Sequence, residues 1–395
     1  MFLNDKHRNY VIYLIIYSLV IGLVSFITPL WILEKTHSPF VVSIISSVTI
    51  LTSAVISPFS GVLGDRYSKV DIIIIGCSII GLSSLLIYVS SYKVFIMTMI
   101  SVLLITRVVG LSLINPINNA ILSEIIENND LTKAVSLNQV IVQISQTLTP
   151  LLGSLSIIYF SYRTVFVMEC IVTIILILLI KDIRSINNTS SEKKRESFLK
   201  SLLSGFHIIM KSSKIFSFIL IAAVINIIGA SMVLAIQTEL VLSDTSKFWY
   251  GVIFASSPIG VIIGAAISRR INWGKRLIYI SFIFVAVMAC FNLMMSLYMD
   301  NLYVFTFLFG VSGIFFGFAN VYFGILYRTE IPVEEQGRFF GFLSSFMIIS
   351  IPLGTILNGA LLEYYAPSTI IFYLALITII ISIFSAAYFK RKINF

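Results

Sequence analysis

The sequence predicts an all-α integral membrane protein with twelve transmembrane helices in two pseudo-symmetric six-helix bundles. Three observations carry that prediction. Roughly a dozen stretches of about twenty apolar residues run through the 395-residue chain, and a helix of that length crosses the ~30 Å hydrocarbon core of a bilayer. Hydrophobic residues make up 58% of the chain against 11% charged, and the charges lie almost wholly between the apolar stretches. The second half of the chain also echoes the first.

Helical spans are predicted at 10–33, 39–61, 70–90, 93–122, 132–157, 163–181, 215–237, 248–269, 277–297, 302–327, 337–362 and 368–389. The polar stretch before the first span is short, and the apolar run after it is too long for a signal-peptide core, so it is expected to be retained as a span. A net charge of +9 would suggest nucleic acid in a soluble protein. Here the cations alternate by loop. Of 27 lysines and arginines, 22 fall on one side of the twelve spans, four (Lys35, Lys93, Arg163, Lys247) on the other, and Arg107 lies inside a span. That bias places both termini and the central loop in the cytoplasm, with basic loops against anionic inner-leaflet lipids. Nucleic acid is not an expected partner.

The longest interruption, 182–214, separates an N-terminal bundle (1–181) from a C-terminal bundle (215–395). Its first part is polar. Its second carries Phe198, Leu202, Phe206 and Ile209 at helical spacing, which predicts an amphipathic helix in the cytoplasmic interface. The halves repeat at an offset of about 202 residues: Pro150 in TPLLG matches Pro352 in IPLGT, and Gly61–Lys69 matches the stretch beginning at Gly264. Parallel repeats of this kind are a known transporter plan, with the substrate site near mid-membrane.

Charges inside a membrane are costly and are functional candidates by default. Arg107 lies about halfway along span 4. It is readable as a cavity cation for an anionic substrate or for coupling, or as a structural lock on backbone or on Glu169. Glu169 is the only acid well within a span, and a carboxyl kept from bulk water can cycle a proton or simply pack. Glu34 and Glu239 sit near outer helix ends. In span 5, Ser136, Gln139, Gln143, Gln146 and Thr149 recur at steps of three and four, a polar stripe that either lines a cavity or bonds across a helix interface. Pro150 and Gly153 follow it and permit a bend or close packing. Asn226 and Gln237 fall nearly on one face of span 7, and Asn115, Asn118 and Asn320 add polar points in spans 4 and 10.

Cys77, Cys170 and Cys290 lie in apolar spans without metal or redox spacing and read as packing residues. His7, His37 and His207, placed in loops or at an interface, make neither a metal site nor a catalytic set. There is no phosphate-binding glycine loop. Enzyme chemistry, a metal and a cofactor are therefore not implied, and the lack of a repeated charge ring argues against a channel.

Gly61-Val-Leu-Gly-Asp65-Arg66-Tyr-Ser-Lys69 after span 2 resembles the loop signature of the major facilitator superfamily, departing from it at Ser68, Val70 and Asp71. Arg107-Val-Val-Gly110 is similar to an arginine–glycine element of that family. Thr149–Ser154 is similar to the proline–glycine element of its drug/proton antiporters, with Thr149 and Ser154 in place of glycines. Asn115–Gly153 and Thr36–Pro39 resemble the macrolide-efflux and siderophore-exporter branch. The resemblance implies a proton-coupled antiporter of a bacterial plasma membrane that exports a small organic molecule by alternating access, and a monomer is expected. It also implies a cavity lined by spans 1, 4, 7 and 10, which puts Tyr17, Asn115, Asn118, Asn226, Gln237 and Asn320 near substrate. The Gly61, Gly64, Asp65, Arg66 and Lys69 loop becomes a cytoplasmic gate, or alternatively a set of topology-setting charges. Asp65 is offered the N-terminal end of span 11, which is predicted to start near Arg338.

Overall fold

The structure is a computed structural model that describes residues 5–93, 97–126, 130–182, 206–210, 212–268 and 277–393. Among these residues twelve helices are long and apolar enough to cross a membrane. They are α1 (Asp5–Thr36), α2 (Pro39–Arg66), α3 (Lys69–Lys93), α4 (Met97–Ala120), α5 (Leu131–Tyr159), α6 (Tyr162–Lys181), α7 (Ser213–Leu242), α8 (Lys247–Ser268), α9 (Leu277–Leu297), α10 (Leu302–Glu330), α11 (Val333–Leu361) and α12 (Pro367–Ile393). One further turn of helix, Leu122–Ile125, follows α4. Large apolar side chains such as Phe307, Leu357 and Phe384 are about two-thirds or more exposed, as expected of surfaces that lie against lipid rather than water.

Most helices overrun their predicted ends, because polar termini continue the backbone ladder beyond the apolar stretch. Four differences matter. Lys93 ends α3 instead of opening span 4. α2 runs on to Arg66, so Gly61, Gly64, Asp65 and Arg66 occupy its last turns and only Tyr67 and Ser68 separate it from α3. Arg338 falls in the second turn of α11, which begins at Val333. His7, expected in a loop, is buried within α1.

The chain forms two compact units. One comprises Met1–Trp31 and Ile45–Lys194, the other Ile32–Ile44 and Arg195–Phe395. In the N-terminal unit, α1 and α5 meet along a single seam. Ser18 Oγ lies 2.8 Å from Ser145 Oγ. A side chain at Gly22 would meet Thr149 Oγ1 at 2.6 Å, and one at Gly153 would meet Phe26 at 2.7 Å. The three pairs step by four residues on both helices, so small residues let the two ridges approach. In the C-terminal unit the same seam joins α7 and α11. A side chain at Gly354 would meet the Ile227 carbonyl at 2.6 Å, and Asn358 Nδ2 donates to the Ser231 carbonyl at 2.7 Å.

The repeat extends further. Gly64 of α2 packs on Ile117 of α4, and Gly264 of α8 packs on Ile314 of α10. Prolines stand inside α2 and α8 (Pro58, Pro258) and inside α5 and α11 (Pro150, Pro352). Left-handed residues follow α1 and α7 (His37, φ 50°; Asp244, φ 52°), and such short polar residues tolerate that conformation at a helix stop. Each unit therefore repeats the same packing plan.

Of the predicted interfacial helix, only 206–210 is described; Phe198 and Leu202 lie outside the described residues. The described piece is helical, but Ile208 and Ile209 are buried in the core of the C-terminal unit and Phe206 rests on Phe342, with ring centroids 5.6 Å apart. Phe206 and Met210 of the same piece are about half exposed. Cys77 is buried as expected, whereas Cys290 is exposed on α9.

Candidate functional site

In the N-terminal unit, α3, α4 and α6 converge on one buried ion pair. Arg107 Nε lies 3.1 and 2.9 Å from the two carboxylate oxygens of Glu169, and Nη2 lies 2.6 Å from Oε1. Ser84 Oγ of α3 donates to the second oxygen. Arg107 is 3% exposed and Glu169 not at all. The planar guanidinium fork matches the carboxylate, which is why this geometry compensates for desolvating both charges. Arg107 is thus committed to Glu169 and does not face open space as a cavity cation. The pairing with Glu169 is the one that a sequence-level reading of Arg107 names.

Beside the pair, Tyr10, Tyr13 and Tyr17 stand along one side of α1, with ring centroids 5.9 and 5.7 Å apart. Tyr17 Oη donates to Asn115 Oδ1 at 2.9 Å, Tyr13 Oη to Asn118 Oδ1 at 3.2 Å, and Tyr10 Oη to the Asn118 carbonyl at 2.6 Å. Asn138 Nδ2 donates weakly to Tyr10 Oη. Tyr17 and Asn118, expected near substrate, are buried inside the unit, and Asn115 alone of the three is exposed. Spacing on α4 and α1 put them together; it could not tell an inward face from a cavity face.

The α5 stripe divides. Ser136, Gln139, Gln143 and Gln146 are exposed, whereas Thr149 and Pro150 are buried and Gly153 closes on Phe26. Steps of three fall behind a 3.6-residue turn by about 60° each, so the stripe has rotated to the α1 seam by the time it reaches Thr149. Glutamines on lipid would leave amide groups unsatisfied, so the exposed row gives the unit a face suited to water or polar ligand. At the end of α2, Gly61 has open space where a side chain would project, Gly64 is closed by Ile117, and Arg66 is exposed. Neither glycine makes a turn. The Asp65 side chain, on which the gate reading falls, lies outside the described residues. Lys69 opens α3, and Arg338 is exposed on α11.

The C-terminal unit holds a half-open chamber of about 570 Å³. Its walls come from α7 to α12: Met232, Met288, Met347, Phe309, Phe316, Phe323, Phe340 and Tyr327 supply the apolar surface. Asn226, Asn292, Asn320, Ser257, Ser312 and Thr378 supply the polar points, and no charged side chain lines it among the described residues. Asn226 Nδ2 donates to the Met347 carbonyl at 2.9 Å and to Ser350 Oγ at 3.2 Å, which fixes its amide against α11. Asn226 and Asn320 line the chamber. Gln237 does not, although Ile236 beside it does, because successive residues are turned about 100° round the helix.

The remaining acid candidate also sits in the C-terminal unit. Glu34, at the end of α1, lies 3.3 Å from Lys247 at the start of α8. Nearby, Glu363 Oε1 accepts from Ser38 Oγ and from the Phe40 backbone N–H at 3.1 Å. It thereby caps the start of α2, where free N–H groups favour an anion. Sequence reasoning missed Glu363, Asn292, Tyr10 and Tyr13. The i, i+3, i+7 spacing of the tyrosines and the lone asparagine in FNLMM were the available signals. Among the described residues, no group of three or more His, Cys, Asp or Glu could hold a metal ion.

The Major Facilitator Superfamily profile matches residues 10–327. An uncharacterized MFS-type transporter of Bacillus subtilis (strain 168), YfiS, is 26% identical over 341 residues, covering 84% of this chain and 80% of its own. Macrolide efflux protein A of Streptococcus pyogenes is 22% identical over 343 residues, covering 83% and 82%. Among solved structures, the nucleoside transporter NupG aligns with a TM-score of 0.74 at 14% identity, covering 98% of this chain and all of that one. A bacterial homologue of the iron transporter ferroportin aligns with a TM-score of 0.72 at 13% identity, covering 99% of each. These structures share the fold. With twelve apolar helices, a duplicated packing plan and a profile match over most of its length, the chain belongs to the Major Facilitator Superfamily and is a multi-pass membrane transporter of a small solute.

Proposed function

We propose that the protein exports a small organic amphiphile of the macrolide type from the bacterial cytoplasm, driven by proton entry through alternating access. One observation carries the choice of cargo: the chamber of the C-terminal unit is walled by Phe and Met, pointed with asparagines and serines, and free of charged side chains among the described residues. Such a wall suits a bulky apolar body with a few hydrogen-bonding groups. It leaves an anion without a counter-charge, and Arg107, the one cation that favoured a carboxylate siderophore, is held by Glu169. The likeness to macrolide efflux protein A supports the same cargo and the outward direction.

Proton coupling is assigned to the Arg107–Glu169 lock. Protonating Glu169 removes the charge that holds Arg107 and so loosens the joint of α3, α4 and α6. That gives proton entry a differential effect on two arrangements of the unit, which any coupling requires. The exposed α5 glutamines, with Asn115, serve as polar contacts for cargo or its accompanying water.

Expression in a bacterial host stripped of its own efflux pumps tests the reading. The expected result is at least a fourfold rise in the erythromycin concentration that stops growth, with no change in secreted iron chelators. Unchanged erythromycin susceptibility with raised chelator secretion would reverse the choice of cargo.

A further inference from the structure

We infer that Gly229 of α7 and Gly324 of α10 are specificity-determining residues of the C-terminal chamber: by carrying no side chain, they set the largest cargo it admits. The inference rests on the transport reading above and narrows its substrate class to amphiphiles too bulky for a chamber with ordinary side chains at these two positions.

Both glycines lie in helix interiors and line the chamber. Glycine in such a place is less stable than alanine, and close approach of a second helix is the usual compensation. Elsewhere in this unit that compensation is present. At Gly260, Gly264, Gly313, Gly317 and Gly354 an added side chain would press into the backbone of a neighbouring helix. Nothing lies within 4 Å of a side-chain carbon added at Gly229 or at Gly324. Their backbone is helical, so no turn requires glycine either. What the missing side chains leave is room, and that room belongs to the chamber of about 570 Å³.

The placement of the room points to cargo. Gly229 follows Asn226 by three residues and Gly324 follows Asn320 by four, so each glycine adjoins a chamber asparagine on the same helix face. A bulky body can lie against the helix backbone at each notch with a polar side chain beside it. The N-terminal unit repeats the packing plan, yet the corresponding helices carry no such notch among the described residues. Gly22 of α1 is closed by Thr149, and Gly110 of α4 by the Gly76 carbonyl. There the side of α1 that meets Asn115 and Asn118 carries Tyr10, Tyr13 and Tyr17 instead. The two open glycines thus depart from the duplication, and they do so where the chamber is.

The test measures equilibrium binding of erythromycin, a bulky amphiphile, to the whole chain purified in detergent, and follows thermal unfolding without ligand. Gly229 and Gly324 are each replaced by Ala and by Leu. Gly341→Leu is the control, since Gly341 of α11 has equally open space but does not line the chamber. The expected result is about tenfold weaker binding by Gly229→Leu and by Gly324→Leu, as overpacking of the bound complex requires, with a smaller loss in each Ala variant and none in Gly341→Leu. Unfolding temperatures are expected to equal that of wild type or exceed it, because a better helix former replaces glycine. Leu variants that bind erythromycin like wild type overturn the inference but leave the transport reading in place. So do Ala variants that lose as much as the Leu variants, which would mark the glycines as hinges. Lowered unfolding temperatures in the Leu variants, or an equal loss of binding in Gly341→Leu, overturn it as well, since the space would then serve packing or the effect would be general. Failure of the wild-type protein to bind erythromycin overturns the transport reading and this inference with it.

Discussion

Glu169→Gln is expected to abolish proton-driven transport while cargo still binds. The glutamine keeps the shape of the carboxylate and can accept from Ser84, but it carries no charge to hold Arg107, which is 3% exposed. Removing one partner of a buried pair costs about 3–5 kcal/mol, because the other charge stays buried without compensation. A large drop in unfolding temperature is therefore expected as well, and on its own it would not separate coupling from stability. The double replacement Arg107→Met with Glu169→Leu separates them. Two apolar residues of similar volume often restore the stability of a lost pair, so that variant is expected to fold like wild type and still fail to respond to a pH gradient. A double variant whose transport follows the gradient as wild type does would reduce the pair to a structural lock.

Gly264→Ala is expected to cost most of the folded protein. A side chain at Gly264 would run into the carbonyl oxygen of Ile314, with the carbonyl carbon at 2.9 Å and Cα at 3.1 Å. Backbone atoms inside a helix cannot step aside as a flexible side chain can. Gly260, one turn earlier, is closed in the same way by the backbone of Gly310 and Ile314, and Gly313 and Gly317 of α10 are closed by α8 in return. Overpacking a tight contact costs about 1–3 kcal/mol, and here either α8 or α10 must move bodily. Gly61→Ala is the control, since nothing lies within 4 Å of the added carbon there. Folded yield by size-exclusion chromatography and thermal unfolding in detergent are expected to fall sharply for Gly264→Ala and to hold for Gly61→Ala. Equal behaviour of the two would contradict close backbone packing of α8 on α10.

The twelve helices were legible because hydrophobic length is a strong signal and lipid permits few alternatives. The duplication was legible from Pro150 and Pro352, and the structure adds Pro58 with Pro258 and Gly64 with Gly264. Arg107 and Glu169 stand out because charge in an apolar span is rare, and one reading of Arg107 pairs it with Glu169. Which way a polar residue faces was not legible. Asn118 and Tyr17 bond inside a bundle while Asn226 and Asn320 line a chamber, and all four are polar groups in apolar helices. The span 5 stripe looked continuous in sequence, yet helical drift carries Thr149 into the α1 seam. Asn292 falls outside spans 1, 4, 7 and 10, the walls that the resemblance implies, because the chamber is also built from α9 and α12.

The most direct test of the account is cargo movement by the purified protein in liposomes. With the protein's cytoplasmic side facing outwards and the lumen made acidic, labelled erythromycin is expected to accumulate inside above its external concentration and to leak back when a protonophore collapses the gradient. Accumulation that ignores the gradient, or none in liposomes whose protein binds erythromycin, would contradict proton-driven export of this class of molecule.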